Sequence, residues 1–185
     1  MSSPEPTSFP SDGTRLIVYV AGNDAAAIEE YVFLAVGALG EHASRSVVAL
    51  SKEPTASDRL RLAALVDEIA APLRPGRAAL GAMLDGMERD GMRYDEVVIT
   101  DDSWFGPVSS LEPVFARMDP IAAHAWTMTP TARRGAAAWV AVRRARDAQS
   151  TWTELLPAVD RVIPAGTATA GGSRPGRAYS SICAE

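Results

Sequence analysis

Asp101 and Asp102 follow directly on Val97-Val98-Ile99-Thr100, and Ser103, Trp104, Phe105, Gly106 and Pro107 come next. Carboxylates are hard oxygen ligands suited to Mg2+ or Mn2+, and Mg2+ commonly takes one or two of them together with substrate phosphates. Consecutive residues leaving a strand point to opposite sides, so one aspartate can hold a metal or a sugar hydroxyl while the other shapes the turn. Trp104 and Phe105 can wall a sugar or base pocket, or plug the core beneath the loop. Gly106-Pro107 fixes the exit of that loop. A second stretch, Ala21-Gly22-Asn23-Asp24, offers a glycine for close backbone approach, two polar side chains and then a helix start, where anions are favoured. Asp24 also suits the N-cap of that helix.

The elements that must position these groups are legible as an alternation. RLIVYV (15–20), SVVAL (46–50) and EVVIT (96–100) are short, apolar, β-branched runs that read as buried strands, and EIAAPL (68–73) and AHAWTMT (123–129) read as shorter ones. Between them, Ile28, Tyr31, Val32, Leu34, Ala35 and Leu39 fall at helical spacing with Gly40 at the exit. A second helix is expected over 55–70, capped at Ser57 and carrying Leu60, Leu62, Leu65 and Val66. A third spans 77–90, interrupted by Gly81 and Gly86, and a short one spans 110–118 with Pro113 in its first turn. The Ala- and Arg-rich stretch 132–148 predicts another helix with one solvated Arg-rich face. Strands alternating with helices at this spacing call for an α/β fold, a mostly parallel sheet with helices on both faces. In such a sheet ligands sit outside the carboxyl ends of the strands, where both candidate stretches lie. The expected organisation is a flexible lead over 1–14, one α/β domain over 15–163 and a disordered tail over 164–185.

Composition narrows the function classes. The chain has 185 residues, 47% hydrophobic and 22% charged, values of an ordinary globular protein. A net charge of −5 argues against general nucleic-acid binding. No run is long and apolar enough to span a bilayer, and the first fourteen residues lack a basic start and an apolar core, so a cytoplasmic protein is expected, with peripheral membrane contact left open. The single cysteine, Cys183, permits no internal disulfide and reads as an inert thiol. HExxH, CxxC and GxSxG are absent, as are GxGxxG and a Walker A loop, which removes motif support for zincin, thiol-redox, hydrolase, dinucleotide and P-loop chemistry. His42 reads as the close of a helix and His124 as a packing residue.

Residues 94–119, YDEVVITDDSWFGPVSSLEPVFARMD, followed by AWTMT, resemble the signature region of the rhamnan synthesis protein F family of bacterial glycosyltransferase-like proteins. The likeness covers residues 15–129, with its specificity in 94–129. It implies a glycosyltransferase A-like (Rossmann-like) architecture, whole or truncated, and a transferase using a nucleoside-diphosphate sugar, with rhamnose as one possibility, and a glycan acceptor in cell-surface polysaccharide or lipopolysaccharide biosynthesis. It implies a donor site built from Asp101, Asp102, Ser103, Trp104, Gly106 and Pro107, beside the strand-end group Gly22, Asn23 and Asp24. It further implies a divalent cation, Mg2+ or Mn2+, on Asp101 and Asp102. Family members carry a Gly-Phe-Asp-Phe-Gly-Ala-Tyr-like segment where this chain reads RPGRAALGAML, without the Asp and the Tyr, and Trp126-Thr127-Met128-Thr129 lacks the family's glycine. The alternative is therefore a truncated, non-catalytic α/β domain that keeps the fold for nucleotide-sugar or protein binding. Neither reading names the general base.

Overall fold

The computed structural model describes residues 6–22, 27–70, 77–102, 107, 109–128 and 139–156. Six strands form one sheet in the order β3-β2-β1-β4-β6-β5. β1 (Arg15–Ala21), β2 (Arg45–Leu50), β3 (Glu68–Ala70) and β4 (Glu96–Asp101) pair in parallel, and β6 (Trp139–Arg143) runs antiparallel between β4 and β5 (Ala125–Met128). The expected mostly parallel α/β architecture is thus the observed one. Alternation along each strand sends its side chains to two cores. Ile17, Tyr19, Ala21, Val48 and Val98 face α1 (Glu30–Gly40), α2 (Ala56–Ala63) and α4 (Glu112–Met118), with Phe33, Leu62 and Phe115 packed against them. Leu16, Val18, Val47, Val97 and Ile99 face α3 (Arg77–Arg89) and α5 (Trp152–Leu155), through Leu84, Met87 and Trp152.

The connections explain this two-sided cover. From β1 the chain steps through α1 to β2 and through α2 to β3, always outward on one side of β1. After β3 it returns through α3 to β4, on the other side of β1. Right-handed crossovers of opposite direction must lie on opposite faces. The sheet therefore reverses its winding between β1 and β4.

Two expectations are corrected here. Residues 139–143 form a strand, not part of a helix over 132–148. All five are buried, with Trp139 and Ala141 in the α1 core and Val140 and Val142 in the α3 core. A short apolar run buried on both faces has no polar side to reveal its period, and the surrounding alanines imitate a helix. The expected solvated Arg face fails for the same reason: Arg143 and Arg144 are buried, and Arg144 pairs with Glu88 over the ring of Trp152. Arg133 and Arg134 lie outside the described residues.

Smaller differences concern caps and histidines. α1 begins at Glu30 with Glu29 at its N-cap, so Asp24 does not cap it. α2 is capped by Thr55, whose hydroxyl accepts the Asp58 N–H at 3.1 Å, and Ser57 lies inside the helix. His42 is stacked on Phe115 at 4.6 Å, not left to solvent, and its Nδ1 lies 3.5 Å from Glu112. His124 is exposed and contributes its carbonyl, which accepts the Arg143 N–H, so it does not pack. Residues 7–14, read as part of the lead, dock on the sheet: Thr7 bridges Ala123, and Phe9 sits under the guanidinium of Arg15. The tail over 164–185, with Cys183, lies outside the described residues.

At the amino end of the parallel strands a charge network is buried beneath α4. The carboxylate of Glu96 accepts from Arg15 Nε at 2.5 Å, Arg143 Nε at 2.6 Å and Trp126 Nε1 at 2.8 Å, and Arg15 also pairs with Asp119. Both guanidiniums thereby cross-link neighbouring strands, Arg15 from β1 and Arg143 from β6, onto the first residue of β4. No described helix is long and apolar enough to cross a membrane.

Candidate functional site

The reversal between β1 and β4 brings the two sequence-flagged strand ends side by side. Val20 pairs with Asp101 in the parallel register, so Gly22 and Asp102 leave the sheet as neighbours. β2 joins the same edge, where the Ser51 N–H donates to the Ala21 carbonyl at 3.1 Å. Gly22 is exposed, and a Cβ placed there would meet no atom of the described residues within 4 Å. Asp101 and Asp102 are half-buried, as is Pro107. Asn23, Asp24, Ser103, Trp104 and Gly106 lie outside the described residues.

Two tyrosines of the α1-side core lie at this end of the sheet. Tyr31 on α1 donates its hydroxyl to the Asp102 carbonyl at 3.3 Å, which ties the helix to the end of β4. Tyr19, one register step behind the edge and opposite Thr100, is 1% exposed. Among the described residues its buried hydroxyl has no hydrogen-bond partner. Burial first, then the charge of Asp102, then Tyr31 and Asp101, push the Tyr19 phenol well above its ordinary value. It is a protonated donor set close to Asp102. Sequence reading passed over Tyr19 because it counts as one more apolar member of a buried strand. Its signal was the polar handle that a buried tyrosine must satisfy.

The start of α1 is not the open anion site expected from the sequence. Its N-cap residue, Glu29, makes no side-chain cap. The buried carboxylate of Asp58, reaching across from α2, accepts the Ile28 N–H at 3.2 Å instead. With Glu30 in the first turn as well, the positive end of the α1 dipole already faces carboxylates. Glu30 is paired in turn with Arg61, and an anionic ligand at this end of the sheet can be held through a divalent cation on carboxylates.

The two aspartates fit such a cation by the chemistry of their donors. Two hard carboxylates at a strand end suit Mg2+ or Mn2+ when waters and ligand phosphates complete the shell. They do not suit a site supplied wholly by protein, and among the described residues no group of three or more His, Cys, Asp or Glu side chains could hold a metal. A pocket of about 300 Å³ opens at the far end of the sheet, among the described residues, between Thr14, Arg93, Tyr94, Asp95, Arg144 and Arg146. Its basic groups are engaged, Arg144 with Glu88 and Arg146 with both Asp12 and Asp95.

No family model and no curated protein matches this chain. Among solved structures, a mycobacterial protein is similar with a TM-score of 0.45 and 19% identity, over 67% of this chain and 44% of that one. Glucosyl-3-phosphoglycerate synthase from Mycobacterium tuberculosis, in complex with Mn2+, UDP and glucosyl-3-phosphoglycerate, is similar with a TM-score of 0.42 and 14% identity, over 81% of this chain and 66% of that one. The same enzyme with Mn2+, UDP and phosphoglyceric acid gives 0.41 and 14%, over 81% and 65%. The chain thus spans less than two thirds of the length of each of these structures.

Proposed function

We propose that this chain binds a nucleoside-diphosphate sugar at the junction of β1 and β4 and acts as a glycosyltransferase of glycosyltransferase A-like type. The observation that carries the reading is the adjacency of the two sequence-flagged strand ends at the point where the sheet reverses its winding. A crevice forms there because the two flanking connections leave in opposite directions, and ligands of open α/β sheets occupy it. The acidic edge selects the mode of binding. Asp101 and Asp102 supply hard carboxylate ligands through which a divalent ion can hold the diphosphate.

In this reading Asp101 and Asp102 hold Mg2+ or Mn2+, and the end of β1 at Gly22 admits the ligand close to the backbone. The cation, when bound, supplies charge neutralisation for the departing diphosphate. Tyr31, through the Asp102 carbonyl, holds the end of β4 against α1. Ser103, Trp104, Gly106 and Pro107 complete the donor loop, with Asn23 and Asp24 beside it. The resemblance of residues 94–129 to the rhamnan synthesis protein F family supports rhamnose as a candidate sugar and a cell-surface glycan as the acceptor, while the net charge of −5 argues against a nucleic-acid partner and the absence of a signal-like start favours the cytoplasm. A binding domain without turnover is the second reading, favoured by RPGRAALGAML, which lacks the acid and the tyrosine of the family segment.

A thermal-shift panel of UDP, GDP, dTDP and ADP, each with Mn2+ or with EDTA, tests the binding. One nucleotide is expected to raise the melting temperature by about 5–10 °C at a hundredfold excess over its dissociation constant, and only with Mn2+. No shift with any nucleotide contradicts the proposal. Release of free nucleoside diphosphate from the matching sugar donor plus acceptor contradicts the second reading.

A further inference from the structure

We propose that Tyr19 is the positioning residue of the cation site, its hydroxyl donating to the carboxylate of Asp102 when that carboxylate takes a cation. The inference rests on the proposed function above and deepens it. Buried polar atoms almost always have a hydrogen-bond partner, and each exception asks for a reason. Tyr19 is such an exception, 1% exposed and with no partner for its hydroxyl among the described residues. Tyr19 lies opposite Thr100, and Asp102, two positions further along the chain, falls on the same face. It belongs to the core facing α1, beside Thr100 on β4, one register step behind the strand end that carries the two aspartates.

The chemistry suits the assignment. A tyrosine hydroxyl within a sealed core is reached by a rotating carboxylate from the same fold more readily than by a ligand. A carboxylate that accepts a hydrogen bond on one oxygen presents the other in a fixed direction, and outer-shell partners of this kind commonly change metal affinity 10- to 100-fold. Tyr31 already fixes the backbone of Asp102 through its carbonyl. Tyr19 then fixes the side chain. Between them the two tyrosines account for a strand end held from the α1 side.

The test is Mn2+ binding, followed by the electron paramagnetic resonance signal of free Mn2+ in the presence of the stabilising nucleotide, for the wild type and Tyr19→Phe. The expected result is Mn2+ affinity at least about tenfold weaker in the variant. The melting temperature of the metal-free variant is expected to be unchanged or raised by a few °C, since an unpartnered buried hydroxyl has been removed. Equal Mn2+ affinity in the two proteins overturns the assignment and leaves the proposed function standing. A metal-free variant that melts several degrees lower also overturns it, because the hydroxyl would then serve the empty fold. A wild type that binds no Mn2+ with any nucleotide overturns the proposed function, and this assignment with it.

Discussion

Replacing Glu96 with alanine is expected to lower the stability of the fold by about 3–5 kcal/mol, the usual result of removing one partner from a buried ion pair. The side chain is fully buried between two guanidiniums that are themselves almost wholly buried, Arg15 at 6% and Arg143 at 1% side-chain exposure. Its removal leaves Arg143 with carbonyl acceptors and with Asp119 at 3.8 Å, while Arg15 keeps Asp119 as its carboxylate partner, together with the His42 carbonyl and the rings of Phe9 and Phe115. Trp126 loses the acceptor of its indole N–H. For a chain of this size the loss corresponds to a fall in melting temperature of about 10 °C. Urea denaturation of the variant checks it, and a change below about 1 kcal/mol would mean that the network is not closed as described. The consequence reaches the site along β4. Glu96 and Asp101 are the two ends of one strand, so the network that fixes the first fixes the register that sets Asp101 opposite Val20. A slip of one residue would turn each side chain of β4 to the other face.

The second large effect is expected at the other end of the same strand. Asp101→Asn and Asp102→Asn remove charge without volume from half-buried positions at the carboxyl end of β4, and both variants are expected to fold. Mn2+-dependent nucleotide binding is expected to fall by about a hundredfold in at least one of them, since each would remove one of the two protein carboxylates offered to the cation. Calorimetric titration of the folded variants measures this. Full retention of affinity in both would exclude the aspartates as the cation site. The two ends of β4 differ: Glu96 is a fully buried carboxylate committed to arginines, whereas Asp101 and Asp102 are half-buried at the carboxyl end of the strand.

Much of this arrangement was legible in the residues. β1, β2 and β4 are continuous apolar runs, and burial on both faces leaves such strands no polar positions, so their bounds in the structure shift by only a residue or so. The strand-end rule then put Gly22, Asp101 and Asp102 at the carboxyl ends of β1 and β4, where those strands end in the structure. What the sequence withheld was the order of strands, which depends on long-range pairing; only the structure shows that β1 and β4 are neighbours. β6 was hidden because alanine-rich flanks masked a five-residue run whose Val140 and Val142 carried the strand signal. Glu96 escaped notice because a charge before an apolar run reads as a solvated strand start. Its burial is explained only when Arg143, forty-seven positions away, is set beside it. Asp58 was hidden for a similar reason: as an ordinary first-turn acid of α2 it gave no sign that it also holds Ile28 at the start of α1.

The measurement that bears most directly on the site is paramagnetic broadening of backbone amide resonances by substoichiometric Mn2+ in the presence of the stabilising nucleotide. Glu96 and Asp101 are five residues apart on one strand, about 17 Å at strand rise, so β4 itself serves as a ruler. The predicted result is strongest attenuation at Tyr19–Gly22 and Thr100–Asp102, declining along β4 toward Glu96, and lost in the Asp101→Asn, Asp102→Asn double variant. Attenuation that instead peaks near Asp12, Asp95 or Asp119 at the opposite end, or that persists unchanged in the double variant, would contradict a cation-assisted ligand site at the junction of β1 and β4.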